Sequence, residues 1–294
     1  MGKTRDLADL TGGAACTTLY TTPGSHTWTA PADCTVVIQA VGAGGSGGGI
    51  SRDDTDNMEV AVSGGSGGGY SRKKVSLSSG DVLSFTVGAG GAYQFLNDNG
   101  TDQIGNAGSA TTVTGPNSLS LTANGGSGGV GRRVTSGDLT FATQPTGGTA
   151  SGGDLNVTGT AGTNVTSFTP PNTNDDIYLF SAGSFSSGFD GVVTGLQTTY
   201  INHNTISTIG TTYDDPSLVG QPLYINVGAK KGLMTGLVNT SSASFKAIGD
   251  AGTLGCGGGA TASISGDNDT GARSLDTGAG GTGFVAITVI DIEV

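Results

Sequence analysis

The densest hard-oxygen donors in the chain are two acidic clusters, Asp53-Asp54-Thr55-Asp56 and Asp267-Asn268-Asp269. Carboxylate and amide oxygens are what calcium prefers. Neither cluster has the twelve-residue loop with a closing glutamate that such a site uses. Both read as solvated loop charge, and no metal is expected. A polysaccharide-cleaving site needs a paired-carboxylate cleft. Its only candidates are Asp175, Asp176, Asp190, Asp214 and Asp215. The sole histidines are His26 and His203, and His26 stands beside Trp28 in a strand-like stretch, where packing or surface duty is expected. No Gly-x-Ser-x-Gly elbow comes with His and Asp in a matching order. Gly-x-Gly-x-x-Gly arises by chance in so much glycine, and no strand-to-helix context supports a dinucleotide site. The chain is therefore expected to be no enzyme, with no catalytic residues and no cofactor.

The other chemistry-bearing group is aromatic. Tyr178, Phe180, Phe185, Phe189, Tyr200, His203 and Tyr213 fall in one segment where glycine thins out. Aromatics are favoured anchors at interfaces, so this group is a candidate receptor-binding surface for a glycan or protein. Filling a small satellite core is the equal alternative.

Composition narrows the class further. The chain has 56 glycines in 294 residues, far above the usual share of about 7%. Charged residues are only 12%, so the charge repulsion that marks disorder is missing. Net charge is −11, and the basic clusters Arg72-Lys73-Lys74, Arg132-Arg133 and Lys230-Lys231 are short. No basic stripe exists for a nucleic acid. Cys16, Cys34 and Cys256 match neither a disulfide framework nor a metal motif. MGKTRDLADLTGG lacks an apolar signal region, and no apolar run nears the ~20 residues of a membrane span. Synthesis in a cytoplasm, without membrane insertion, is expected.

The elements that must position these residues read as β throughout, with no capped helical period. Residues 1–16 form an amino-terminal arm, in which Arg5, Leu7 and Leu10 are the candidate anchor contacts. From Thr17, stretches rich in β-branched residues alternate with turn signals. Val36, Val37, Ile38 and Val41 are apolar on both faces, as in a buried central strand. Val75–Ser78 and Val82–Val87 around Ser79-Gly80-Asp81 read as a hairpin or meander. A second pair of strands flanks Gly115-Pro116-Asn117. Residues 17–294 form one glycine-rich domain with a loop-rich insert at about 164–248.

Strands repeatedly run straight into glycine, first at Cys34–Gly49. Flexible linker is the ordinary reading of such runs, but these are short, abut strands and recur within one domain. A polyproline-II-type helix of glycine answers better. It has three residues per turn and no internal hydrogen bonds, so its backbone groups must pair sideways with like neighbours. Only glycine lets the axes come that close.

Thr27-Trp28-Thr29-Ala30-Pro31, Val36 to Gly45, Gly67-Gly68-Gly69-Tyr70, Val87 to Gly91 and Gly280 to Val285, in that order, resemble the glycine-rich domain of bacteriophage tail and fibre proteins. They are also similar to the glycine-rich region of anaplastic-lymphoma-type receptor kinases. The resemblance covers about Ser25 to Val294 without the insert. It implies an all-β jelly-roll or tumour-necrosis-factor-like sandwich carrying inserted polyglycine-II helices. It further implies a virion protein, in a fibre or tail appendage, presenting loops to a host surface glycan or protein. The arm would bind other virion proteins, and a homotrimer follows by analogy. A capsid-decorating protein without a receptor is the alternative, and a depolymerase a more distant one.

Overall fold

The computed structural model describes residues 16–53, 59–97, 103–134, 139–140, 145–162, 167–168, 176–180, 182, 198–201, 206–209, 234–239, 245–265 and 273–292. Among them there is no α-helix, and every regular element is a β-strand.

Two five-stranded antiparallel sheets carry the main core. The first runs Cys16–Tyr20, Phe284–Ile292, Cys34–Val41, Tyr70–Leu77, Leu155–Val157. The second runs Ala150–Ser151, Leu119–Ala123, Thr111–Gly115, Val82–Val87, Gly24–Thr29. Side chains alternate across a strand. In Val82–Val87 this puts Leu83, Phe85 and Val87 inside and leaves Ser84 and Thr86 outside. Leu83, Phe85, Val113 and Leu121 of one sheet and Val36, Ile38, Val285 and Ile287 of the other share one buried cluster. The sheets thus form a β-sandwich. Each fully buried aliphatic or aromatic side chain is worth about 1.5–3 kcal/mol.

Cys34–Val41 occupies the middle of its sheet, as its two-faced apolar pattern predicts. Its inner face meets the sandwich core. On its outer face Val41 joins Tyr70, Phe284, Ala286 and Cys256 in a smaller cluster. The hairpin at Gly115 holds, with Gly115 opposite Leu119 and left-handed φ of 55° and 58° at Asn117 and Ser118. The hairpin expected about Ser79-Gly80-Asp81 does not form. Tyr70–Leu77 pairs in the first sheet and Val82–Val87 in the second, so that turn crosses between layers. Both strands already have partners whose alternation suits the core better, and Asp81 caps the crossing through its carboxylate on the Ser78 N–H at 2.9 Å.

Beyond the sandwich the chain leaves strand geometry at its glycine runs and regains it further on. Cys34–Val41 continues through residues 42–48 into Gly49–Asp53, and Glu59–Ser63 returns through 64–69 into Tyr70–Leu77. Strands between residues 176 and 239 pair beyond these glycine segments. Asp176–Phe180 pairs with Glu59–Ser63 and with Thr198–Ile201. Met234–Asn239 pairs with Thr261–Ser265 and with Ile206–Ile209. Glycine segments therefore separate these strands from the sandwich.

Candidate functional site

The glycine segments are ordered by their own backbones. Gly42, Gly45 and Gly48 donate their N–H groups to the carbonyls of Gly69, Ser66 and Ser63 at 2.9, 2.9 and 3.0 Å. Ala43, Ser46 and Gly49 donate to Ser109, Asn106 and Gln103, and Gly44 and Gly47 donate to Gly281 and Gly278. Every third amide thus faces the same neighbour, and three antiparallel neighbours receive the bonds. The carbonyls follow suit. Ala43 and Ser46 accept from Gly126 and Gly129, Gly45 and Gly48 from Gly258 and Thr261, and Gly44 from Gly91. Residues 42–49 are enclosed on all sides by backbone.

The same period repeats outward. Ser63, Ser66 and Gly69 donate to Val130, Ser127 and Asn124; Gly105 and Gly108 donate to Gly129 and Gly126; Gly280 and Gly283 donate to Gly91 and Gly88. Axes this close leave no room for a side chain. A Cβ on Gly44 would land on the carbonyl oxygen of Cys256, on Gly45 on that of Ser127, and on Gly257 on that of Gly65, all well inside the 3.0 Å that real Cβ atoms respect.

At three buried serines of the array the hydroxyl acts as an acceptor for a backbone N–H. Ser46 Oγ accepts from the Asn106 N–H at 2.7 Å, Ser63 Oγ from Val130 at 3.0 Å, and Ser66 Oγ from Gly162 at 3.3 Å. All three serines are fully buried. A buried polar group costs little only when it is bonded, and these are.

Several strips of this array escape sequence reasoning because they are not glycine-rich. Residues 103–110, 158–162 and 249–253 belong to it. The signal they carry is a three-residue spacing: Gly105 and Gly108, Gly159 and Gly162, Gly249 and Gly252. Each of these glycines faces a neighbouring backbone oxygen. The positions beside them hold side chains, exposed at Ile104 and Ala107. Glycine density within each period of three thus reports how many faces of a segment are packed.

A family model described as a glycine-rich domain matches residues 21–289. The chain belongs to the glycine-rich domain family. No curated protein matches it in sequence. In this glycine-rich domain the repeated feature is the backbone array, carried by the three-residue spacing of its glycines.

Of the aromatics singled out in the insert, Tyr178 and Tyr200 are direct register partners across two strands, and Phe180 stands opposite Thr198. Phe185, Phe189, His203 and Tyr213 lie outside the described residues, as do Arg5, Leu7 and Leu10. Asp176 begins a strand, while Asp175, Asp190, Asp214 and Asp215 fall outside. No group of metal-binding side chains is present among the described residues.

His26 packs. Its ring stacks on Phe85 at 5.7 Å and tilts against Tyr20 at 5.5 Å. Its Nε2 lies 2.8 Å from the Thr22 carbonyl, which makes Nε2–H the donor. Cys16, Cys34 and Cys256 are not joined in disulfides. Burial, then the carboxylates of Asp33 and Asp81, hold the Cys34 thiol above its ordinary range, the opposite of what a nucleophile needs.

Proposed function

We propose that this protein is a non-enzymatic bacteriophage virion component, a fibre or tail appendage that presents the insert to the host surface. The observation that carries the reading is the placement of the insert strands at the far ends of glycine segments rooted in a sandwich. The three-residue bonding period supports reading those segments as a polyglycine-II bundle on a jelly-roll or tumour-necrosis-factor-like base. At ~3.1 Å per residue, residues 42–48 hold the insert about 22 Å from the sandwich. Nothing reactive is needed in such a spacer; its duty is stiffness.

The amino-terminal arm, with Arg5, Leu7 and Leu10, attaches the protein to other virion proteins, and the assembly is a homo-oligomer, a trimer by analogy. Contact with a host glycan or protein falls to the insert aromatics, of which Tyr178 and Tyr200 form the paired centre.

The test is adsorption. Recombinant protein added to host cells is expected to bind them and to block phage adsorption, and a variant lacking residues 164–248 is expected to do neither. Binding to purified capsids with neither cell binding nor adsorption block would assign the protein to capsid decoration instead.

A further inference from the structure

The outer face of the second sheet is dominated by hydroxyl side chains, with the exposed Val82 opposite Thr29 at one end. Register places Ser25, Thr86 and Thr112 in one row across three strands, and Thr27, Ser84 and Thr114 in the next. The rows continue onto the fourth strand at Thr122 and Ser120. Neighbouring strands lie about 4.8 Å apart, and successive outward residues of one strand about 6.8 Å apart. These six residues, together with His26 and Phe85 of the same strands, line a shallow groove of about 410 Å³.

Only Thr114 among them spends its hydroxyl on the protein, donating to the Ser84 carbonyl at 3.2 Å. The hydroxyls of Ser25, Thr27, Ser84, Thr86 and Thr112 make no hydrogen bond to the described residues. Each keeps a donor and two acceptor lone pairs. The outer face of the first sheet differs, since it carries Arg72 and Lys74. Strand propensity explains threonine and serine here only in part, because valine, isoleucine and tyrosine suit a strand equally.

Charge decides the occupant. In a chain of net charge −11, this face offers no carboxylate to a basic protein and no cation to an anionic polymer. A neutral partner matches it without desolvating an ion. The partner must also replace the water on many hydroxyls at once, donating and accepting along two parallel rows.

We propose that this face binds a neutral polysaccharide, whose ring hydroxyls pair with the two rows. The proposal stands apart from the attachment role of the insert: it concerns the sandwich, and deletion of the insert leaves the face intact. Individual hydroxyl pairs are weak, so affinity rises with polymer length through multivalent contact.

Native affinity electrophoresis tests it, with dextran or mannan in the gel as neutral probes and hyaluronate as the acidic one. The full chain is expected to be retarded by dextran or mannan and not by hyaluronate. The pair Thr86→Val and Thr112→Val, which keeps shape and removes two hydroxyls, is expected to weaken retardation about tenfold. A second variant, Thr86→Lys, places a charge in the groove and is expected to act likewise. Unfolding midpoints of both variants are compared with the parent, and the insert-deleted chain is expected to bind as the full chain does. Absence of retardation by either neutral polymer overturns the proposal. So does equal retardation by hyaluronate, or undiminished binding by both variants. Self-association of the parent that both variants abolish would mean that a second copy covers the face, which also overturns it.

Discussion

The α-carbon of Gly44 lies so close to the carbonyl oxygen of Cys256 that no Cβ fits between them. The Gly44 N–H meanwhile donates to Gly281 at 2.8 Å. One residue therefore touches two backbones, and its lack of a side chain is what admits both. Gly44→Ala is expected to destabilise the fold by ~3 kcal/mol or more, in the range of severe overpacking. Gly80 is the contrast. It has a left-handed φ of 86° but open space at its Cβ position. Gly80→Ala is expected to cost only about 1–2 kcal/mol. Chemical denaturation of both variants measures the difference, and equal costs would contradict steric closure as the cause.

Ser46 supports the array in another way. Its buried hydroxyl accepts the Asn106 N–H, so Ser46→Ala removes the acceptor without adding volume. The expected loss is about 1 kcal/mol, the net worth of a hydrogen bond to a part-buried donor. Ser46→Gly is expected to cost at least as much, although glycine is the commoner residue in the run. Denaturation midpoints check the order.

Alkaline pH should loosen the outer face of the first sheet. Burial raises the Tyr70 phenol above its ordinary value of 10.0, against the hydrogen bond from Gln39 and the nearby Arg72 charge. A group whose folded pKa exceeds its unfolded one holds its full stabilisation below the unfolded value. It loses that stabilisation as pH rises through the folded value. Stability is therefore expected to be flat from Tyr70 up to about pH 10 and to fall above it. Tyr70→Phe is expected to flatten the alkaline limb while lowering stability at neutral pH. Its loss leaves Gln39 Nε2 without the 2.8 Å partner, on a side chain whose Oε1 is already unbonded.

The thiols report on the same packing. Cys34 and Cys256 are buried and Cys16 is half-buried. A disulfide-exchange reagent at neutral pH is expected to modify Cys16 first, and Cys34 and Cys256 only with unfolding. Reaction of Cys256 at the rate of a free peptide thiol would mean that the Gly44 neighbourhood opens readily.

Much of the sandwich was legible in the residues. The two-faced apolar run of Cys34–Val41 placed it mid-sheet, and the Gly115-Pro116-Asn117 signal marked a true hairpin. Ser79-Gly80-Asp81 misled because turn chemistry fixes a reversal, not which sheet receives the next strand; that choice belongs to Leu83 and Phe85 packing across the core. The glycine runs were legible where nearly every face is packed, as at Gly42 to Gly49. They were hidden at Gly105 and Gly108, where only one position in three is glycine and the intervening side chains dilute the composition. The insert aromatics were visible as residue types, but the opposition of Tyr178 and Tyr200 depends on strand register, which composition does not encode.

Amide hydrogen exchange by NMR tests the central claim, that the glycine segments form a backbone-bonded array. Amides of residues 42–49 are all bonded and are expected to exchange slowly. Along 103–110, Gln103, Gly105, Asn106, Gly108 and Ser109 are bonded, whereas Ile104, Ala107 and Ala110 carry no such bond among the described residues. The account predicts slow exchange broken by fast amides at every third residue of that strip. Uniformly fast exchange across residues 42–49, as in a free glycine linker, would contradict it.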